Sequence, residues 1–141
     1  MLITIINGPN LNLLGKRESD IYGEESFDSV LESLKSKYKD VDIRYFQSNV
    51  EGEIVNHLQL SSIDSDGIIL NAGGYTHTSV AIRDAVIAIT PPVIEVHISN
   101  IMKREEFRHT SLLSSVCSGT MFGFGIGVYE LAMEAFNKEI L

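Results

Sequence analysis

Glu95 and His97 stand one residue apart in the stretch EVH. In an extended strand alternate side chains share a face, so the carboxylate can accept a proton from one imidazole nitrogen while the other points outward as a general acid or base. The surrounding run VIEVHI, residues 93–98, reads as a strand covered on both faces. A charge there is costly unless it is paired, which favours a working pair over a solvated strand face.

A second pair lies in NGPNLNLLGKRESDIYG, residues 7–23, where Arg17 precedes Tyr22. A phenol titrates near ~10, and a neighbouring guanidinium favours the phenolate. Bringing it about three units lower takes roughly 4 kcal/mol, hence close cationic contact and partial exclusion of water. A tyrosinate base opposed to a histidine acid suits β elimination of water: one removes a proton α to a carbonyl, the other protonates the departing hydroxyl. Asn10 could stabilise the enolate oxygen directly or through a fixed water. Lys16 and Lys103 fall in polar loops, so the layout does not favour an imine route.

Backbone N–H groups are expected from GGYTHT, residues 73–78, read as a glycine turn at a helix start, and from the ISN that follows His97; both can hold a carboxylate. Arg104 and Arg108 can add hydrogen bonds to ligand oxygens. Of the four histidines, His77 and His97 stand at expected pocket ends, whereas His57 and His109 are read as packing or surface residues. None forms an i, i+4 pair or HExxH, so a metal site is not expected. The chain has no P-loop, and amides stand where a phosphoacceptor domain would carry carboxylates. GFGIG, residues 123–127, is a weak nucleotide fingerprint because it follows the last strand rather than the first.

The elements that must position these residues alternate. Residues 2–6 are apolar on both faces, as in a central strand. Phe27, Val30, Leu31, Leu34 and Tyr38 recur at helical spacing behind a capping Ser26, to about residue 39. An outer strand is expected in VDIRYFQS, a second helix around Ile54, Val55 and Leu58, a strand at 67–71, and a third helix from Val80 to a halt at Pro91 and Pro92. Strand 93–98, a brief polar helix at 103–108, a glycine-interrupted strand around 121–124 and a closing helix at 128–136 complete the chain. This alternation predicts an α/β, flavodoxin-like three-layer sandwich with five parallel strands in the order 2-1-3-4-5, and ligands beyond the carboxyl ends of the strands. Asn7, Asn10, Asn71 and His97 lie at those ends.

The 141 residues are 44% hydrophobic and fit one catalytic domain, 1–141. A formal net charge of -8 argues against nucleic acid or an anionic membrane as partner. The apolar opening, with no basic leader or spanning run, gives the expectation of a cytoplasmic protein. Cys117, the one cysteine, is read as an ordinary half-buried residue. A mean hydropathy of +0.10 leaves apolar surface whose simplest outlet is subunit contact.

NGPNLNLLGKRESDIYG, QSNVEGEIVNHL at 47–58, ILNAGGYTHTSVAIRDA at 69–85, EVHISNI at 95–101 and REEFRHTS occur in one order, and in them the chain closely resembles type II 3-dehydroquinate dehydratase along essentially its whole length. The resemblance implies reversible anti elimination of water from 3-dehydroquinate, giving 3-dehydroshikimate, with neither metal nor organic cofactor. By the same resemblance Tyr22 is the base at C2, in a loop that closes on substrate, and Arg17 its activating partner. His97 is the acid that protonates the C1 hydroxyl, Glu95 orients it, and Asn10 places the water at the enolate. Asn71, Ile98 and Ser99 hold the substrate carboxylate, His77 and Arg108 address ring hydroxyls, and Arg104 matches a position near the closing region. Such enzymes are typically dodecamers of four trimers, in which Asp84 reaches toward a neighbour's site.

Two positions depart from the family pattern: Met102, where an imidazole or phenol is common, and Ser19, where proline is frequent. The first makes the rim less polar and the second raises the entropy lost on loop closure, which implies slower or weaker turnover rather than another reaction. The competing readings are a dehydratase for another cyclic polyol acid, a noncatalytic flavodoxin-like binder of flavin or nucleotide, and an assembly scaffold that would need neither residue pair.

Overall fold

The computed structural model of the chain describes residues 1–16, 20 and 25–141. Five parallel strands form one sheet: β1 (Leu2–Asn7), β2 (Asp42–Gln47), β3 (Gly67–Asn71), β4 (Val93–His97) and β5 (Gly119–Phe122), in the order β2-β1-β3-β4-β5. Among the described residues, four helices cover it: α1 (Phe27–Lys37), α2 (Glu51–Ser61), α3 (Val80–Ala88) and α4 (Val128–Asn137). The flavodoxin-like sandwich and its strand order are those expected from the alternation of apolar runs.

The period of two in the strands divides the core. Ile3, Ile5, Ile69, Ile94 and Val96 pack with Phe27, Val30, Leu34, Tyr129 and Met133 of α1 and α4. Ile6, Ile68, Leu70 and Val93 pack with Ile54 and Leu58 of α2, Ile82 and Val86 of α3, and Leu113. Burying each such side chain stabilises the fold by roughly 1.5–3 kcal/mol relative to leaving it in water. Glu95, alternating with Ile94 and Val96, therefore points to the α2–α3 side, where an apolar residue would be the ordinary choice.

Caps fix where helices begin. Ser26 accepts the Ser29 N–H at 3.4 Å before α1, and Ser79 accepts the Ile82 N–H at 2.9 Å before α3. Three local expectations are corrected. GGYTHT is not a helix start: residues Gly73–His77 form a separate 3-10 turn with Gly73 at φ 58°, and extended Ser79 begins α3. The polar helix expected at 103–108 is two 3-10 turns, Ile101–Lys103 and Glu106–Arg108, divided by extended Arg104 and Glu105. The fifth strand begins earlier than 121 and stops at Phe122, because Gly123 turns the chain at φ 90°.

The register aligns the amides. Asn7 at the end of β1 lies between Gln47 of β2 and Asn71 of β3. A Cβ at Gly8 would stand 2.6 Å from the Ala72 carbonyl oxygen, so the chain leaving β1 can pass the end of β3 only as glycine.

Candidate active site

A cavity of about 190 Å³ opens beyond the strand ends, lined by Asn10, Asn71, His77, His97, Ile98, Ser99, Arg104 and Arg108, with Pro9, Leu11, Leu13 and Leu14 on the β1 side. Its place at the β1–β3 reversal is the one expected for a sheet of this order. The residues singled out from β1, β3, β4 and the following turns thus converge. Asp84 does not join them: it is exposed on α3, 3.6 Å from the Arg83 guanidinium. Arg17 and Tyr22 lie outside the described residues.

At the floor, Glu95 is fully buried and His97 only 5% exposed. Burial by itself raises a carboxyl, but hydrogen bonds from His97, Ser114 and Ser111 outweigh it and hold Glu95 at about 2. An anionic carboxylate can only accept. His97 Nε2, 2.7 Å from Glu95 Oε1, is therefore the nitrogen that carries a proton toward it, and Nδ1 is the atom left for a ligand.

His77 stands beside it, with ring centroids 6.4 Å apart and planes 21° from parallel. Its Nδ1 donates to the Thr110 carbonyl at 2.8 Å, which leaves Nε2 as the free ring atom. Ser99 Oγ accepts from Arg104 Nη1 at 3.4 Å, and Glu105 gathers both arginines, at 2.6 Å from Arg108 Nε and 3.9 Å from Arg104 Nε. The Ile98 carbonyl accepts the Gly125 N–H at 2.9 Å. The glycines of GFGIG thus brace the backbone after His97.

Asn71 is fixed at both ends of its amide. Its Oδ1 accepts the Gly73 N–H at 3.2 Å and its Nδ2 donates to the buried Tyr129 hydroxyl at 3.0 Å, leaving one N–H of a two-proton donor. Asn10 sits in the left-handed region at φ 69°, a conformation asparagine tolerates, with its backbone N–H on Asn49 Oδ1 at 2.9 Å. Gln47 Nε2 reaches the same Asn49 Oδ1 and the Gly8 carbonyl, each at 3.2 Å, and Tyr75 donates to the Asn49 carbonyl at 2.8 Å.

The model of the family Dehydroquinase class II matches residues 1–137. The chain belongs to that family. A 3-dehydroquinate dehydratase of a Nitratiruptor species is 51% identical over 140 residues, 98% of this chain and 90% of the relative. One of Campylobacter jejuni is 54% identical over 135 residues, 94% and 85% of the two chains. The crystal structure of type II dehydroquinase from Butyrivibrio crossotus superposes with a TM-score of 0.94 at 44% identity, covering 97% of each chain.

In this class II dehydroquinase chain, sequence reasoning missed the groups that hold the site. Thr76, Ser111, Ser114 and Thr120 all donate to Glu95. Gln47, Asn49 and Tyr75 tether the Asn10 loop, Tyr129 joins Asn7 to Asn71, and Glu105 aligns the arginines. The available signal was the hydroxyl-rich run TSLLSSVCSGT, residues 110–120, beside a strand with a buried acid. Cys117 in that run is half-buried, and burial together with the Glu95 charge pushes its thiol up to about 12, so it stays neutral. His57 stacks on Phe46 and exposed His109 meets the Arg104 carbonyl at 3.1 Å, both away from Glu95.

Proposed function

We propose that the chain catalyses reversible anti dehydration of 3-dehydroquinate to 3-dehydroshikimate through an enolate. The observation that carries this reading is the buried Glu95–His97 pair at the end of β4, which engages Nε2 and leaves Nδ1 of a cavity-lining histidine for a ligand, in a chain of the Dehydroquinase class II family. Tyr22, beside Arg17, removes the proton at C2, and the electron pair moves onto the ketone oxygen. A water placed by Asn10 stabilises that oxygen. As the enolate collapses, the C1–O bond breaks and His97 gives its Nδ1 proton to the leaving hydroxyl, so that water departs and the enone remains.

The Asn71 amide and the backbone of Ile98 and Ser99, residues that all line the cavity, take the substrate carboxylate. His77 and Arg108 address ring hydroxyls, and Arg104 closes over the same region. A volume of about 190 Å³ suits a single small ring better than a nucleotide. No lysine lines this cavity among the described residues, which agrees with an enolate rather than an imine.

Asp84 belongs in this reading to a neighbour's site. On α3 it lies between Val80 and Ile87 on one exposed face, and those two apolar residues are 59% and 56% exposed. An assembly of trimers, and the dodecamer built from them, would cover that face; the working compartment is the cytoplasm.

The test is to add 3-dehydroquinate to metal-free protein and follow the absorbance of the conjugated enone. Turnover by the parent, with loss of about 10²-fold or more in Tyr22→Phe and in His97→Ala and an unchanged fold, is the expected result. Near-parental rates in either variant would reject its proton transfer, and a lysine adduct trapped by borohydride would overturn the enolate route.

A further inference from the structure

Glu95 receives more donors than an isolated acid–histidine pair needs. Oε1 accepts from His97 Nε2 at 2.7 Å, Ser111 Oγ at 2.7 Å and Thr76 Oγ1 at 3.1 Å; Oε2 accepts from Thr120 Oγ1 at 3.2 Å and from Ser114 Oγ. A carboxylate has about four lone-pair sites, so this one is saturated. The four hydroxyls arrive by three routes. Thr76 comes from the turn after β3, Thr120 lies opposite Glu95 in the β4–β5 register, and Ser111 and Ser114 come from the run between the arginines and β5.

The direction of one bond is fixed independently of Glu95. Ser111 Oγ already accepts the backbone N–H groups of Leu113 and Ser114, both at 3.0 Å, so its two lone pairs are occupied and its proton is committed to the carboxylate. A neutral Glu95 would have to donate into this ring of donors.

We propose that the hydroxyls of Thr76, Ser111, Ser114 and Thr120 are positioning residues: a closed shell of donors that keeps Glu95 an anion and so keeps the Nε2 proton of His97 directed at it, which leaves the Nδ1 proton of the acid form for the cavity. This rests on the role given above to His97 as the acid. The shell replaces water at a fully buried carboxylate, and its donors are held by backbone elements, so they need not reorganise as the imidazole gives up its proton. The titratable groups facing Glu95 among the described residues are His97, the neutral Cys117 thiol and, across His97, the His77 ring.

Thr76→Val and Thr120→Val remove a hydroxyl while keeping the branched shape; Thr76→Ser and Thr120→Ser keep the hydroxyl and lose the methyl. Ser114→Ala is a third deletion, whereas Ser111 is left intact because it also caps two backbone groups. Two readouts apply: titration of the Glu95 carboxyl by 13C NMR, and the pH dependence of kcat. Each deletion should raise the Glu95 midpoint and move up the acidic limb of kcat, with kcat at neutral pH about tenfold lower, KM within about twofold and parental behaviour in the serine variants. Equal loss in the valine and serine variants would assign the threonines to packing alone and overturn the proposal. So would an unmoved carboxyl titration. A parent that fails to dehydrate 3-dehydroquinate would defeat the catalytic reading, while the NMR titration would still decide the shell.

Discussion

Tyr129, on the last helix, donates its phenolic proton to Asn7, the last residue of the first strand, at 2.8 Å. The same oxygen accepts from Asn71, so one buried hydroxyl links the ends of two neighbouring strands and sets the orientation of an amide on the cavity wall. Burial pushes the phenol up, and it stays a neutral donor throughout the working range.

Tyr129→Phe would leave the Asn7 oxygen and an Asn71 N–H without their partner inside the protein. The expected loss of stability is about 1–3 kcal/mol, measured by urea unfolding. Because Asn71 is assigned to the substrate carboxylate rather than to a proton in flight, KM should rise more than kcat falls. A kcat defect with unchanged KM would place Asn71 elsewhere in the reaction.

Glu95 links the site to acid stability. Its carboxyl lies at about 2 in the folded chain, below the ordinary value of 4.5. A depressed carboxyl contributes stability that is fully present above the unfolded value and is lost as pH falls through the folded one. The contribution, roughly 3 kcal/mol, should therefore disappear between about pH 5 and pH 2. Unfolding free energies of the parent and Glu95→Gln, measured across that range, should converge toward the acid end; a constant difference would mean that Glu95 does not titrate as an ion held by its donors.

The exposed face of α3 gives a third expectation. Ile87→Asp places a charge on the apolar surface beside Asp84 and should shift the assembly toward smaller species in light scattering, with turnover falling alongside. A parent that is a clean monomer at all concentrations would remove the reason for assigning Asp84 to a neighbour.

Met102 is 53% exposed in the turn after β4, its N–H held by Asn100 Oδ1 at 3.1 Å. If the missing polar group at this position slows the chain, Met102→His should raise kcat/KM about two- to tenfold, the scale of one hydrogen bond. Unchanged kinetics would count against that local explanation.

The strand order and the strand-end residues were legible because each buried strand is a short apolar run stopped by a polar residue: Asn7, Asn71 and His97 mark the rim by breaking the pattern. The Glu95–His97 pair was legible from alternation alone. Its hydroxyl shell was not, since Thr120 meets Glu95 only through strand register and Ser111 through a loop packed across the sheet. The 3-10 turns at 73–77 and 101–108 escaped for a local reason. Helical spacing over five or six residues does not distinguish one helix from two turns separated by extended residues, and at 73–77 the positive φ of Gly73 decides. Tyr129 was hidden in a helix whose spacing reads as core, where only the sheet's register reveals what its hydroxyl meets.

The most direct measurement is a crystal structure of the protein with a bound substrate analogue. The expected arrangement has His97 Nδ1 within about 2.6–3.2 Å of the leaving hydroxyl, Nε2 still on Glu95, and the Tyr22 oxygen on the opposite side of the ring near C2. An ordered complex in which Nδ1 meets only the carboxylate, with the Tyr22 phenol directed to solvent and no other base at C2, would contradict the proposed elimination.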